Sequence, residues 1–390
     1  MSTGRADRAL SVALVTHYFP AHHGGVERVA GEIAARLAAS GAATICWHAS
    51  DVDPPPAETP GLRCIAAASC NAAERLLGFP YPLWSPRALA RVARAAREAD
   101  VVHLHDCVYL ANVVAALAAR LKGRPVVVTQ HVGRIPYRNP LLRAGAAVAT
   151  RLLGKLVLGG AAQAVFVSDT VLQEFQRFVR FRRPPLRIAN GVDETAFHPL
   201  EGPARRELRR SLAGASDVPL LAFAGRFVEK KGLHLVRQLA AALPGVRWLF
   251  AGWGPLDPSR WGLANVSLRG NLARGELAQL YQAADLLVLP SVGEGFPLVV
   301  QEAMACGTPA LVGDETAAAA PEAAGLLLHE PLGRHDDAER WRARIEALLA
   351  APGTLAGLRP RVAAFAREAW SWERAVQRYA QILREAAGDA

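Results

Sequence analysis

At 390 residues, 51% of them hydrophobic and 21% charged, the chain exceeds what one hydrophobic core serves and is too apolar to be disordered, so two or more globular domains are expected. Its 45 Lys and Arg stand against 35 Asp and Glu, a net of +10 that would draw phosphates, anionic membrane or nucleic acid. Five cysteines (Cys46, Cys64, Cys70, Cys107 and Cys306), an odd number without CxxC or Cys/His finger spacing, exclude a disulfide framework and a structural zinc site and fit a reducing cytoplasm.

The opening MSTGRADRAL runs directly into the strand-like SVALVT (11–16), so no signal peptide is expected. No stretch free of Asp, Glu, Lys and Arg reaches the roughly 20 residues of a spanning helix: Ala9 to Val26 has 18 residues, with three histidines and a proline, and Leu37 to Ser50 has 14. A cytoplasmic protein with peripheral contact at the inner face of the membrane is the expectation. After a His/Gly loop, VERVAGEIAARLAASG repeats Val26, Val29, Ile33 and Leu37 at helical spacing, and Gly41 ends the helix. ATICWHA, VVHLH, PVVVTQ and AVFVS then read as buried strands separated by helices or turns.

FHPLEGP, near Phe197 to Pro203, breaks the pattern with two prolines and a glycine. Beyond it PLLAFAG (219–225), VRWLFAG (246–252), DLLVLPS (285–291) and TPALVG (308–313) read as parallel strands, with helices expected at 232–242, 274–284 and 297–306. The fold class is α/β, with domains at 1–198 and 199–368 and a final helix at 369–390 crossing back to the first domain, pinned by Trp370 and Trp372. Two doubly wound units put ligands beyond the carboxyl ends of their strands, in a cleft between them. Residues 1–200 hold 23 Lys and Arg against 14 Asp and Glu, a net of +9, and the remaining residues hold 22 against 21.

The strongest chemical signal is SVGEGFPLVVQEAMACGTPALVG (291–313). A strand ends at Ser291, a Gly-rich turn carries Glu294, and Pro297 sits where a helix would begin. The helix turns free N–H groups and a partial positive charge toward the ligand side. Glu294 stands just before the helix and Glu302 about a turn and a half inside it, roughly 8 Å along at 1.5 Å per residue, a separation suited to a diphosphate between two hydroxyl-bearing ends. The same spacing also fits two glutamates that cap and solubilise. In AGRFVEKKG (224–232), Arg226 stands at the strand's carboxyl end and Lys231 just ahead of Gly232 and the next helix. Such cations hold a diphosphate, the arginine by its fork and the lysine as a point charge; a solvated loop carrying Glu229, Lys230 and Lys231 is the alternative.

Taken together, these segments resemble the family 4 retaining glycosyltransferases, with their two glutamates separated by seven intervening residues and their Arg and Lys phosphate motif in the same order. Further matches are HYFPAHHGGVERVAGEIAARLAASG, VVVTQH, NGVDETAFHP, AGWGPL, LYQAADLLVLPSVGEGF and SWERAVQRYAQIL, in the family's order over most of the chain. The resemblance implies a GT-B architecture of two Rossmann-like domains facing a central cleft, the first for the acceptor and the second for the nucleotide-sugar. Carried over, it makes Arg226 and Lys231 the ligands of the donor diphosphate and Glu302 that of the ribose, sets Glu294 and His131 against the transferred sugar, and puts the backbone of Gly295, Phe296, Pro297 and Leu298 along phosphate and sugar. Gly24 and Gly25 occupy the family's glycine loop, with Gly25 toward the donor; read alone, such a pair is a tight turn.

Two departures stand out. The segment GDETAAAAPEAAG keeps Pro321 and Glu322 but has alanines where relatives have glycines, and Trp253 replaces an acidic or small residue. The implied reaction moves a sugar from a UDP- or GDP-linked donor, a co-substrate rather than a cofactor, to a saccharide or polyprenyl diphosphate-linked acceptor. It proceeds with retention and without a metal, in exopolysaccharide, lipopolysaccharide or glycolipid assembly.

His17, His105 and Asp106 are candidates for the acceptor side; His103, His105 and Asp106 could alternatively bind a metal, and His17, His22 and His23 could simply pack. Residues 134–160 mix Arg134, Arg138, Arg143, Arg151 and Lys155 with leucines, as an interfacial helix or an ordinary basic helix would. The rival functions are a nucleotide-sugar epimerase or hydrolase of the same fold, and a nucleic-acid-binding protein. The last lacks any zinc finger, helix-turn-helix or RNP-like signal, so no nucleic-acid partner is expected.

Overall fold

Runs such as Val126–Val127–Val128 and Leu286–Leu287–Val288 are buried over their whole length, which suits strands covered on both faces. The computed structural model describes the backbone of residues 9–388 apart from 78–80, 134–139 and 215–216. The chain divides into two compact units, Met1–Ala189 with Trp372–Ala390, and Asn190–Ser371.

In the first unit the order is β1 (Leu10–Val15), α1 (Gly25–Ala39), β2 (Ala43–Ser50), β3 (Leu62–Ala67), β4 (Ser69–Cys70), α2 (Ala72–Leu77), β5 (Leu83–Trp84), α3 (Pro86–Glu98), β6 (Val101–His105), α4 (Leu110–Leu121), β7 (Val126–Gln130), α5 (Pro140–Val157), β8 (Gln163–Phe166), α6 (Asp169–Gln176) and β9 (Leu186–Arg187). One parallel sheet runs β3-β2-β1-β6-β7-β8-β9, while β4 and β5 pair antiparallel beside it. Sequence explains the helix starts: Ser85 caps α3 by accepting from Ala88 N–H with Pro86 in the first turn, and Ser168 caps α6 through Val171 N–H. Val92 and Ala96 of α3 and Ala115 and Ala119 of α4 meet Val102, Leu104, Val126 and Val128 in one core.

The second unit runs α7 (Gly202–Ala213), β10 (Leu220–Ala224), α8 (Leu233–Ala242), β11 (Arg247–Ala251), β12 (Val266–Gly270), α9 (Arg274–Ala283), β13 (Leu286–Leu289), α10 (Leu298–Ala305), β14 (Ala310–Gly313), α11 (Asp314–Ala318), β15 (Leu328–Glu330), α12 (Asp337–Ala350) and α13 (Pro352–Ala369). Its parallel sheet is ordered β12-β11-β10-β13-β14-β15, the doubly wound order that reverses between β10 and β13. Arg205, Arg209 and Arg359 converge on the last carbonyls of α9, and the two on α7 also pair with Asp285. Cations at a helix C-terminus satisfy its free carbonyls and its dipole, and here they fasten α7 and α13 to the start of β13.

The division falls at Ala189/Asn190 rather than at 198/199. Residues 190–198 belong to the second unit because Gln301 donates to Asn190 O at 2.7 Å, Val192 N–H to Trp370 O at 2.7 Å, and Arg274 pairs with Asp193. Trp370 is buried in this unit against Phe296 and Phe365. The last helix, α14 (Trp372–Ala387), belongs to the first unit, where Tyr379 is buried with its hydroxyl 3.3 Å from Thr129 Oγ1. Trp372 is buried there too, under the guanidinium of Arg36.

Candidate functional site

In the second unit, the loops after β10 and β13 leave the sheet at the point where strand order reverses, the place where such sheets bind ligands. The first loop brings Arg226, Lys230 and Lys231, and the second brings Glu294. Lys231 Nζ donates to Glu294 Oε2 at 2.7 Å, with both side chains nearly buried, and Lys230 Nζ stands 3.5 Å from Glu294 Oε1. The loops are also laced by backbone: Val292 N–H donates to Lys230 O at 2.8 Å. Gly232, at φ 73°, lies so close that a Cβ would collide with Pro290 O, which is why a glycine follows Lys231. Burial alone would raise the Glu294 carboxyl, but the ammonium groups of Lys231 and Lys230 outweigh it and hold it below the usual carboxylate range.

Arg226 is exposed, and its guanidinium lies 4.8 Å from the centre of the Trp253 ring. Pro297 is the N-cap of α10, so the helix starts at Leu298, one residue after the expected 297, because the φ of −67° at Pro297 is paired with an extended ψ of 126°. Glu302, buried on α10, receives a hydrogen bond from Tyr281 OH at 3.3 Å. Phe296 turns its ring into the core against Trp370, while Gly295, Pro297 and Leu298 form the entry to α10. The two sequence motifs are therefore one constellation around the Lys231–Glu294 pair. Sequence reading named both residues but not their bond, and it treated Lys230 as a surface charge.

In the first unit the corresponding reversal lies between β1 and β6. His17 follows β1, His105 ends β6, Asp106 follows it and His131 follows β7. His105 Nδ1 and His131 Nε2 are 2.8 Å apart, and Asp106 Oδ1 accepts from the His131 and Val132 N–H groups at 2.8 and 3.2 Å. Asp106 takes φ 66°, a strained conformation for a residue other than glycine. His105 Nε2, His17 Nδ1 and Asp106 Oδ2 are buried with no hydrogen-bond partner among the described residues.

The sequence did not single out Glu27, whose carboxylate meets His17 Nε2 at 2.8 Å and lies against Gly24, where any Cβ would collide with it. Burial would raise this carboxyl too, yet His17 brings it below its usual range. The glycine loop thus makes room for a buried acid, and Gly25 has open space at its Cβ position. The alternative metal role of His103, His105 and Asp106 is not supported by their bonding: His103 Nε2 is 2.9 Å from Thr129 Oγ1 and His105 faces His131. Among the described residues no group of three or more His, Cys, Asp and Glu is placed to hold a metal ion. His22 bridges Asp53 and Glu74, a packing role, while His23 is exposed at φ 60°.

Residues 23–196 match Glycosyltransferase Family 4, and residues 218–351 match the glycosyl transferases group 1. D-inositol 3-phosphate glycosyltransferase 1 of Catenulispora acidiphila is 32% identical over 327 residues, covering 76% of this chain and 75% of that protein. The chain belongs to the family 4 glycosyltransferases. The D-inositol 3-phosphate glycosyltransferase of Mycobacterium marinum is 31% identical over 74% of this chain, and the chain spans 64% of that relative's length. The fold is GT-B: sucrose-phosphate synthase from Thermosynechococcus elongatus superposes with a TM-score of 0.78 at 19% identity, covering 98% of this chain and 100% of that one. HepE of Anabaena, solved with UDP-glucose, gives 0.73 at 20% identity, covering 96% and 100%.

Histidines of the first unit titrate far from their ordinary value. Burial, first of all, holds His103 and His131 down at about 3 and His105 well below its ordinary value, and pushes Asp106 up to about 6. Between about pH 6.5 and 3 the unfolded chain binds protons at three imidazoles that the folded unit leaves neutral, so acid removes stability, at up to about 1.4 kcal/mol per group per pH unit. Asp106 opposes this between about 6 and 3.8, where its folded carboxyl keeps a proton that the unfolded one has released. Three groups outweigh one. Amide exchange of β6 and β7 is therefore expected to accelerate on going from about pH 7 to about pH 4.5 after correction for the intrinsic rate. Unchanged protection would contradict the neutral buried cluster.

Proposed function

We propose that this chain transfers a sugar from a UDP- or GDP-linked donor to a saccharide or lipid-linked acceptor with retention of configuration. The observation that carries the reading is the Lys231–Glu294 pair at the strand-order reversal, beside an Arg226 that pairs with no carboxylate among the described residues. The donor diphosphate takes the place of the Glu294 carboxylate on Lys231, and Arg226 grips it with the edge of its guanidinium. The α10 N-terminus, behind Gly295 to Leu298, adds N–H groups and its dipole. Glu302 takes the ribose hydroxyls, and Glu294, once released, faces the sugar. HepE, a protein of the same fold, binds UDP-glucose, which supports a nucleotide-sugar as the ligand.

Catalysis is leaving-group stabilisation. As the anomeric bond breaks, negative charge grows on the diphosphate, and cations already aimed at it are worth about 2 to 4 kcal/mol each in that state. The acceptor hydroxyl attacks from the face the diphosphate leaves. On the acceptor side, buried neutral His131 offers the sugar a hydrogen bond without charge; His17, His105 and Asp106 stand with it, and Gly25 leaves room. A metal has no assigned role in this mechanism.

Among the described residues no helix is long and apolar enough to cross a membrane. A lipid-linked acceptor would be met peripherally, through α5. Val148, Leu152 and Leu156 recur every four residues and are exposed at 55%, 63% and 40%, with Arg151 and Lys155 exposed beside them. Arg134 and Arg138 lie outside the described residues. The neighbouring α3 and α4 add exposed Arg87, Arg91, Arg94 and Arg97 and the exposed Leu117 and Leu121. Assembly of a polysaccharide, lipopolysaccharide or glycolipid at the inner membrane face is the corresponding role.

Lys231→Ala and Glu302→Ala should each lower release of nucleoside diphosphate from the matching nucleotide-sugar at least about tenfold, with circular dichroism unchanged. Full activity in both would refute the donor site. Release that needs no acceptor would identify a hydrolase instead. Turnover should survive EDTA, whereas a loss restored by a divalent cation would refute the metal-free mechanism. The protein should co-sediment with vesicles of anionic lipid at low salt and be released by salt; failure to bind them removes the membrane contact.

A further inference from the structure

Lys231 and Arg226 are held in opposite ways. Lys231 waits on a carboxylate that must leave before a phosphate can enter, whereas Arg226 lies with its guanidinium carbon 4.8 Å from the centre of the Trp253 ring. A guanidinium stacked on an aromatic ring uses its face, and its N–H donors, all in the plane, stay free for a bidentate anion. The backbone of Trp253 is itself fixed to the turn that bears Arg226: Phe227 N–H donates to Trp253 O at 2.7 Å and Leu256 N–H to Phe227 O at 3.0 Å. Close approach of the two loops depends on the glycines flanking Trp253. Gly252 and Gly254 take φ 138° and 154°, and a Cβ on either would strike the backbone of Gly225 or Phe227. The indole is 41% exposed, a large apolar surface to leave in water unless the cation above it matters.

We propose that Trp253 is a positioning residue, holding the Arg226 guanidinium edge-on to the donor diphosphate in place of an acidic partner. The proposal rests on the donor site described above and adds to it how the site selects one arginine conformation before ligand arrives. A carboxylate at position 253 would compete with the diphosphate for the same N–H edge; an indole does not. An unrestrained arginine at an exposed site would have to be ordered at each binding event.

A double-mutant cycle tests this by calorimetric titration of the full chain with UDP, GDP and ADP. Trp253→Ala should weaken the best-bound nucleoside diphosphate about fivefold, while Trp253→Phe keeps it within about twofold because a ring is restored. In the Arg226→Ala background, Trp253→Ala should change affinity no further, since its effect passes through the arginine. Equal affinity of wild type and Trp253→Ala would overturn the proposal, as would a full additive loss in the Arg226→Ala background, which would make Trp253 a direct ligand contact. If the wild type binds none of the three, the donor site itself fails and the proposal with it.

Discussion

Two neighbouring parallel strands whose helices depart to opposite faces leave a gap at their carboxyl ends, and the β10/β13 pair is the place where this chain has such a gap in its second unit. The rest of the candidate site follows from it. Strand pairing sets Leu221 beside Leu286 and Ala222 beside Leu287, so the loop after each strand starts at a fixed offset from the other. That offset lets Val292 N–H reach Lys230 O and brings Lys231 within 2.7 Å of Glu294, partners 63 residues apart. The side chains meet because the backbone has already met.

The ion pair so formed is a compromise between two costs. Removing an ammonium and a carboxylate from water costs about as much as their attraction returns, so the pair adds little net stability, but either group alone would be strongly unfavourable. A buried lysine kept for an anionic ligand therefore needs a resident counterion. Glu294 fills that place, and the depressed titration of its carboxyl shows the two lysines winning over its burial. Arg226 needs none, being exposed and stacked on Trp253, and among the described residues it pairs with no carboxylate.

The sequence carried the strands and both motifs closely. The spans 219–225 and 285–291 contain β10 and β13, since unbroken aliphatic runs bounded by Gly, Pro and Ser have few other solutions. What it could not carry was pairing at a distance. Neither the Lys231–Glu294 bond nor the Glu27–His17 bond has a local signature, and Glu27 looks like any first-turn acid on α1 until Gly24 is seen to make room for it. The unit boundary was misplaced for a similar reason: residues 190–198 look like a linker, while Gln301 and Trp370, far along the chain, hold them in the second unit. Trp253 was visible as an oddity, and its meaning needed Arg226 above it.

The net +10 of the chain has no single location. At the reversal in the first unit, His105, His131 and His103 are buried and neutral, and the polar atoms without a partner among the described residues include a histidine nitrogen on His17, another on His105, a carboxyl oxygen on Asp106 and the amide oxygen of Asn112. Such a set suits hydroxyl groups, which both donate and accept, and its neutral imidazoles bring no positive charge to a diphosphate. The positive excess of that half lies outside this cluster, on exposed Arg87, Arg91, Arg94 and Arg97 of α3 and on Arg177, Arg180, Arg182 and Arg183 after α6. In the second unit the order is inverted, with near neutrality overall and three cations gathered at the reversal. Positive charge in this chain is thus gathered at short range in the second unit, on Arg226, Lys230 and Lys231, and spread over an exposed surface in the first.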